Sequence, residues 1–292
     1  MLSILVLGLK VRYPKNAGSW YAGTAESLRR QIEEECFLHR LGPGEVPKLN
    51  EKGPRKIVGL LCPHAGYMYS GPVAAYSYSA LARDGKPETV VVLGPNHTGF
   101  GSAVSVMVEG VWRTPFADVP INSKVAKAIQ AASKYLDVDD SAHLYEHSIE
   151  LQLPFLQYVL GSGFDFVPIC MMLQDFEVAV DIGRAIAKGL ENINAVVIAS
   201  SDLTHYEPQS SAEKKDTMVV EAIRRLDEKE LFEVVERYSI SMCGVGPTVS
   251  MIVASKILGA KNGVLLKYAT SGDVTGDKSS VVGYCAMSLT KT

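Results

Sequence analysis

The feature that most constrains the fold is the alternation of short apolar segments with amphipathic ones along most of the chain. Six segments are predicted as buried or half-buried strands because they are short, rich in Val and Ile, and bounded by Gly, Pro or Asp. They are residues 57–61, 89–94, 165–171, 195–200, 263–270 and 281–289. The predicted helices are residues 25–39, 72–83, 123–136, 148–160, 176–190, 211–226, 229–238 and 246–258. This alternation predicts a three-layer α/β/α fold with a largely parallel central sheet, formed by a single domain over residues 1–292.

Composition and charge narrow the classes of function. The 292 residues are 47% hydrophobic and 21% charged, with a net charge of −3, so we expect a globular protein with no nucleic-acid partner. The apolar opening MLSILVLGLK has no basic region or cleavage site and is too short to span a bilayer. It favours a first strand or an over-long start. We therefore expect no membrane association and a cytoplasmic location.

The five cysteines contain no CxxC pair. Their wide spacing argues against a disulfide framework and against a zinc ribbon, and most of them are expected to be buried thiols.

Histidines follow three of the strongest predicted strands. His64 comes after residues 57–61, His97 after 89–94, and His205 after 195–200. The carboxyl ends of parallel strands meet at one edge of a sheet, so these histidines should converge on one crevice. A single histidine at a strand end is usually structural. Three together favour a metal site, because histidine is the commonest metal ligand near neutral pH.

The segment YEHSIELQLPF contains three further polar candidates. If a helix begins near Glu146, then Glu146 and Glu150 lie four residues apart on one face, and His147 lies three residues from Glu150. They could bind a substrate. The alternative is a charged first turn favoured by the helix dipole, and the pattern does not decide between the two.

Cys243 precedes a Gly–Val–Gly–Pro sequence that is typical of the start of a helix. At that position the pKa of a thiol is expected to be lowered, so Cys243 is a candidate third metal ligand. A buried, inert cysteine is the alternative. Asp273 and Asp277 could line the pocket or cap turns, and turns are favoured, while His39 and His143 are predicted to lie on the surface.

Six ordered motifs resemble those of the Memo family: CPHAGYMYSG, LGPNHTG, EHSIELQLPF, SSDLTHY, MCGVGP and SGDVTGDKSSVVGY. The segment VRYPKNAGSWYAG resembles the opening of that family, so the resemblance covers the chain from about residue 11 onward. The family is similar in structure to class III extradiol dioxygenases, which are non-haem Fe(II) enzymes that open catechol rings. The resemblance implies that His64 and His97 are metal ligands and that His205 is an acid/base residue. It places Cys243 where the dioxygenases have a carboxylate ligand.

The resemblance implies a redox metal, with Fe(II) or copper favoured and zinc also compatible, because a thiolate is a softer ligand than a carboxylate. In this interpretation Asp202 orients His205, while Glu146, His147 and Glu150 bind or polarise the substrate. The leading hypothesis is a metal-dependent redox protein or oxygenase-like enzyme of unknown substrate. The alternative is a non-catalytic module that binds a peptide or small molecule in the same pocket, and a zinc hydrolase ranks third. The resemblance also suggests a radical-SAM partner protein.

Overall fold

The computed structural model describes residues 10–292, so the first strand predicted within residues 1–10 lies almost wholly outside the described residues. The strands are β1 (Val11–Arg12), β2 (Ile57–Cys62), β3 (Thr89–Pro95), β4 (Val104–Val106), β5 (Val111–Arg113), β6 (Asp118–Pro120), β7 (Asp137–Val138), β8 (Asp165–Met171), β9 (Ala195–Ser200), β10 (His205–Glu207), β11 (Asn262–Thr270) and β12 (Val281–Thr290). The α-helices are α1 (Ala25–Arg30), α2 (Tyr67–Asp84), α3 (Ser123–Ala132), α4 (Gln152–Leu160), α5 (Phe176–Gly189), α6 (Gln209–Arg224), α7 (Glu228–Arg237), α8 (Val245–Ile257) and α9 (Ser271–Thr275). A π-helical segment, Gln31–Phe37, continues α1, and a 3-10 turn covers Ser141–His143.

Among residues 10–292, nine strands form one sheet in the order β10-β12-β2-β9-β3-β8-β4-β7, with β11 also paired to β12. The four central strands β2, β9, β3 and β8 are parallel, whereas β12 and β4 join them in antiparallel orientation. Nearly every residue of the central four is buried, which explains their continuous apolar sequences. The parallel pairing that the sequence predicts is therefore found among the four central strands and between β4 and β7, whereas the other strand pairs of this sheet are antiparallel. The connection between β11 and β12 is short enough for antiparallel pairing.

Helices cover both faces of this sheet, as the alternation predicts. Helix α2 packs with α4 and with the π-helical segment, while α5 packs with α3 and α8, and α7 bridges α6 and α8. Helices α5 and α8 approach closely at Gly183, where a Cβ atom would lie 2.6 Å from the Ser250 carbonyl oxygen. The α/β class and its three layers are thus confirmed.

Two predicted helix starts are wrong. Helix α4 begins at Gln152 rather than near Glu146, and Pro154 lies in its first turn, where a missing N–H group is tolerated. Residues 146 and 147 are irregular and residues 148–151 form a turn, so Glu146 and Glu150 do not share a helix face. Helix α2 begins at Tyr67 and contains Pro72 inside it, although the sequence places a helix start at the proline.

A second sheet ties down the start of the described chain. Strand β1 pairs in parallel with β5, and β5 pairs with β6. Each of these strands has only two or three residues, which is too few to give a periodic pattern. This small sheet brings Arg12 next to the buried ring of Trp112.

The cysteines are all free, and four of them are buried: Cys36, Cys62, Cys170 and Cys285. This agrees with the expectation of buried thiols. The turn assignments of Asp273 and Asp277 are confirmed, because the Asp273 carboxylate caps α9 and the Asp277 carboxylate accepts a hydrogen bond from the Ser279 backbone. Within the part of the chain that the structure describes, no helix is long and apolar enough to cross a membrane.

Candidate metal centre

Three histidines converge at the carboxyl edge of the central strands. His64 and His97 each lie two residues beyond the end of a strand, β2 and β3, and these strands flank β9. The third is His147, from the turns before α4. One ring nitrogen of each histidine lies within 4.8 Å of the corresponding nitrogens of the other two. Of the three histidines that the strand-end pattern predicts to converge, the structure brings His64 and His97 into this close group, leaves His205 outside it and adds His147.

The hydrogen bonds around His64 fix its tautomer. The Ser200 hydroxyl donates its only proton to the Ser148 carbonyl oxygen at 2.7 Å, so it acts as an acceptor for its other partners. One of these is His64 Nδ1, at 2.9 Å. Nδ1 of His64 therefore carries the proton, and the Nε2 atom carries a lone pair that can bind a metal in place of its contact with the Cys243 thiol.

A single buried carboxylate orients the other two rings. Glu146 Oε1 accepts a hydrogen bond from His97 Nδ1 at 2.9 Å, and Oε2 accepts one from the His97 backbone N–H at 2.6 Å. The same Oε1 atom lies 3.4 Å from His147 Nδ1. A carboxylate on Nδ1 directs Nε2 toward a metal and raises the basicity of the ring. Glu146 therefore serves the candidate centre as a support for two ligands, whereas the sequence suggests contact with a substrate.

Charge at the centre suits a cation. Burial, followed by the proximity of the other histidines, lowers the pKa of His64 well below its ordinary value. Burial lowers the pKa of His147 to about 4. Burial alone would raise the pKa of Glu146, but the hydrogen bond from His97 and the adjacent imidazoles lower it to about 2. At neutral pH, His64 and His147 are neutral beside an ionised carboxylate, which is the protonation state that a metal requires.

Cys243 lies at the side of this group. Its Sγ is 3.2 Å from His64 Nε2 and 3.3 Å from the Asp202 backbone N–H, but Cys243 is not part of the mutually close set of ligand atoms. Burial, and then the charge of Asp202, raises the pKa of the Cys243 thiol, so the predicted lowering is wrong for the metal-free protein. The N–H groups of Gly244 and Gly246, at the start of α8, donate to Ser201 and Gln174 and not to the thiol.

The side chains of Asp202 and His205 have different hydrogen-bond partners. Asp202 Oδ1 accepts from the His64 backbone N–H at 2.8 Å, and burial raises the pKa of this carboxyl to about 6. Nδ1 of His205 donates to the Ser241 carbonyl oxygen at 2.7 Å, so Ser241 orients the ring in the role that the sequence interpretation gives to Asp202. His205 is half-buried and keeps Nε2 available.

Glu150 does not face the histidines as a substrate ligand would. Its buried carboxylate pairs with Arg12 and accepts hydrogen bonds from the Tyr21 hydroxyl at 2.7 Å and the Asn16 backbone N–H at 2.9 Å. Both carboxylate oxygens are therefore occupied by residues of the protein itself.

His143 is fully buried, so its predicted surface location is wrong. The polar residues near it in sequence suggest a surface position, but the turn that carries it is packed beneath Arg12 and Trp112. His39 is partly exposed.

A cavity of about 540 Å³ has Ala65 and Gly66, the two residues after His64, in its wall, and none of the three histidines is among its lining residues. The Trp20 ring forms part of its wall and also packs against His147, with the ring centroids 4.3 Å apart. Aromatic and hydroxyl groups dominate the remaining wall, including those of Tyr69, Tyr206, Tyr284 and Ser271. Its size is typical of a pocket for a small molecule.

Comparison with known proteins gives one family. Residues 12–288 match the profile of the Memo family, described as a Memo-like protein. A MEMO1 family protein of Methanopyrus kandleri is 55% identical over 278 residues, which cover 94% of this chain and 98% of the relative. One from Methanocaldococcus jannaschii is 52% identical over 285 residues, covering 95% and 98%. The crystal structure of an uncharacterized protein from Escherichia coli K12 matches 80% of this chain and 99% of its own, with a TM-score of 0.57 and 14% identity, which indicates a shared fold.

Proposed function

The chain belongs to the Memo family, and on that basis we propose that this member binds a divalent or redox-active metal ion and acts as an oxidoreductase on a small molecule. The observation that carries the proposal is the arrangement of His64, His97 and His147, whose Nδ1 atoms all face groups of the protein. One ring nitrogen of each histidine lies within 4.8 Å of those of the other two. Three imidazoles with supported Nδ1 atoms fit Fe(II), copper or zinc.

His64 and His97 are ligands in every version of this proposal, and the third ligand separates two versions. His147 completes the set as the side chains stand. Cys243, which the family resemblance suggests, contacts the Nε2 atom of His64 and would need to turn toward the ion and lose its proton. Thiolate ligation would favour copper or zinc, whereas three histidines leave iron fully compatible.

The metal would supply a Lewis acid and, for iron or copper, a site for oxygen or electron transfer. The residues of the chain have separate tasks. His205 holds its Nδ1 proton on Ser241 and can accept or donate a proton at Nε2. The Asp202 carboxyl, with its pKa near 6, is poised to change its charge close to neutral pH. The aromatic wall around Trp20 and Tyr284 would exclude water from a bound substrate.

The alternative function is a binding module that uses the same cavity without metal chemistry. The observation that favours it is the cavity itself, because its aromatic wall could hold a peptide side chain or a small molecule unaided. Binding of this kind would survive removal of all metal by a chelator.

The test is anaerobic reconstitution with Fe(II), Cu(I) or Zn(II), followed by elemental analysis and by oxygen uptake with catechol-like compounds. We expect about one metal per chain in the wild type and loss of the metal in His64→Ala. His39→Ala is the matched control, since it removes a partly exposed histidine outside the group. Absence of metal from the wild type, or equal loss in the control, would refute the proposal and leave the binding module.

A further inference from the structure

An arginine from the second sheet holds the loop that carries His147. The Arg12 guanidinium is buried and donates from Nε to the His143 carbonyl oxygen at 3.1 Å. It also donates from Nη2 to the Glu146 carbonyl oxygen at 2.9 Å, and Nη1 pairs with the Glu150 carboxylate. One side chain thus fixes the loop at its start, middle and end.

Glu150 fixes the same loop to the first described segment of the chain. Besides Arg12, its carboxylate accepts hydrogen bonds from the backbone N–H groups of Lys15 and Asn16 and from the Tyr21 hydroxyl. This segment also contributes Trp20, whose ring packs on His147. Residues 12–21 therefore pack against the loop and contact a candidate metal ligand.

Stability alone gives little reason for this arrangement. The desolvation of a buried ion pair offsets most of its attraction, and well-packed apolar residues often replace such a pair without loss. What an arginine provides that an apolar residue cannot is a planar group with donors at fixed angles. Here those donors meet two carbonyl oxygens and one carboxylate of the loop that holds Glu146 and His147.

We propose that Arg12 and Glu150 are positioning residues of the metal centre. They hold the loop so that Glu146 supports the His97 ring and His147 reaches the other two histidines. This inference rests on the proposed metal binding. It assigns the segment at residues 12–21 to the site, although that segment is remote in sequence from every candidate ligand.

The test is Arg12→Lys, which keeps a positive charge for Glu150 but cannot reproduce the planar fork of donors to His143 and Glu146. The matched control is Arg55→Lys. Arg55 also pairs with a buried carboxylate, Asp84, at 2.8 Å and donates to a backbone carbonyl oxygen, but it lies at the amino end of β2, away from the histidines.

The first readout is the dissociation constant for Co(II), measured by competition with a chelator, together with the visible spectrum of the bound ion. We expect Arg12→Lys to weaken Co(II) binding about 10- to 100-fold, as the loss of other supports of metal ligands does, and to alter the spectrum. Arg55→Lys should bind like the wild type. Unchanged binding by Arg12→Lys, or an equal loss in both variants, would overturn the inference.

The second readout uses metal-free protein and does not depend on the proposed function. The backbone N–H groups of His147 and Ser148 donate to Glu146, so their hydrogen exchange reports the order of the loop. We expect faster exchange in Arg12→Lys only. Equal exchange in all three proteins would refute the positioning role even if the wild type binds no metal.

If Arg12→Lys does not fold, Asn16→Ala replaces it. This change removes one side-chain hydrogen bond to Glu150 and leaves the ion pair intact. We expect a smaller effect in the same direction in both readouts, and no effect in either would count against the inference.

Discussion

Replacement of His143 by leucine should make the protein more resistant to acid. The ring is fully buried, and among the described residues neither nitrogen has a hydrogen-bond partner. Burial, followed by the charge of Arg12, lowers the pKa of His143 from 6.5 to about 3. The folded protein therefore keeps this histidine neutral at pH values where the unfolded chain protonates it.

The sign and size follow from this difference. A histidine whose pKa is lowered by folding costs no stability above its ordinary pKa, and it destabilises the folded state increasingly as the pH falls toward the folded value. At pH 5, which is about 1.5 units below the ordinary pKa of histidine, protonation of His143 stabilises the unfolded chain by about 2 kcal/mol. At pH 8 the contribution is close to zero, and a leucine of similar volume leaves no unpaired polar atom.

The assay is urea unfolding of metal-free wild type and His143→Leu at pH 8 and pH 5. We expect the loss of unfolding free energy between the two pH values to be about 2 kcal/mol smaller in the variant. His39→Leu is the control, because that ring is partly exposed. An equal loss in wild type and His143→Leu, or a variant that is several kcal/mol less stable at pH 8, would refute the burial of a neutral His143.

Three other changes test the site. In Glu146→Gln, an amide NH2 group would face one of the two His97 N–H groups that donate hydrogen bonds to the carboxylate. The chain should still fold, and a metal titration should show an affinity about 10- to 100-fold lower. Gly94→Ala puts a Cβ atom 2.2 Å from the Ser148 hydroxyl oxygen, and urea unfolding should show a loss of about 1–3 kcal/mol. A thiol reagent should modify only Cys243 in the native protein, because the other four cysteines are buried. The modification should be slow, since burial raises the pKa of the Cys243 thiol, and a bound metal should slow it further only if the thiol is a ligand.

The fold was largely predictable because the central strands are buried on both faces. The bounds of β8 and β9 match their apolar segments, and parallel orientation alone places the residues after β2 and β3 at the same edge of the sheet. That is why His64 and His97 could be paired from sequence. The small sheet could not be predicted, since two- and three-residue strands carry no periodicity. The outer strands β11 and β12 were predicted as strands, but their apolar sequences do not reveal their antiparallel orientation.

The role of His147 depends on contacts that no local pattern contains. Its loop is held by Arg12, which is 138 positions from Glu150, and by the ring of Trp20. The neighbouring acidic residues look like a charged helix start, whereas one carboxylate supports the histidines and the other binds the segment at residues 12–21. The position of Cys243 before a helix could be predicted from the sequence. The side chains of Ser201 and Gln174, which accept hydrogen bonds from the N–H groups at that helix start, could not.

The most direct test of the account is a crystal structure of the protein reconstituted with Zn(II), in which anomalous scattering locates the ion. The account predicts one ion at about 2.1 Å from the Nε2 atoms of His64, His97 and His147. An ion held by His64, His97 and Cys243 would show that His147 is not a ligand and would support the three ligands that the family resemblance implies. An ion outside this group, or no ion at all, would contradict the metal centre itself.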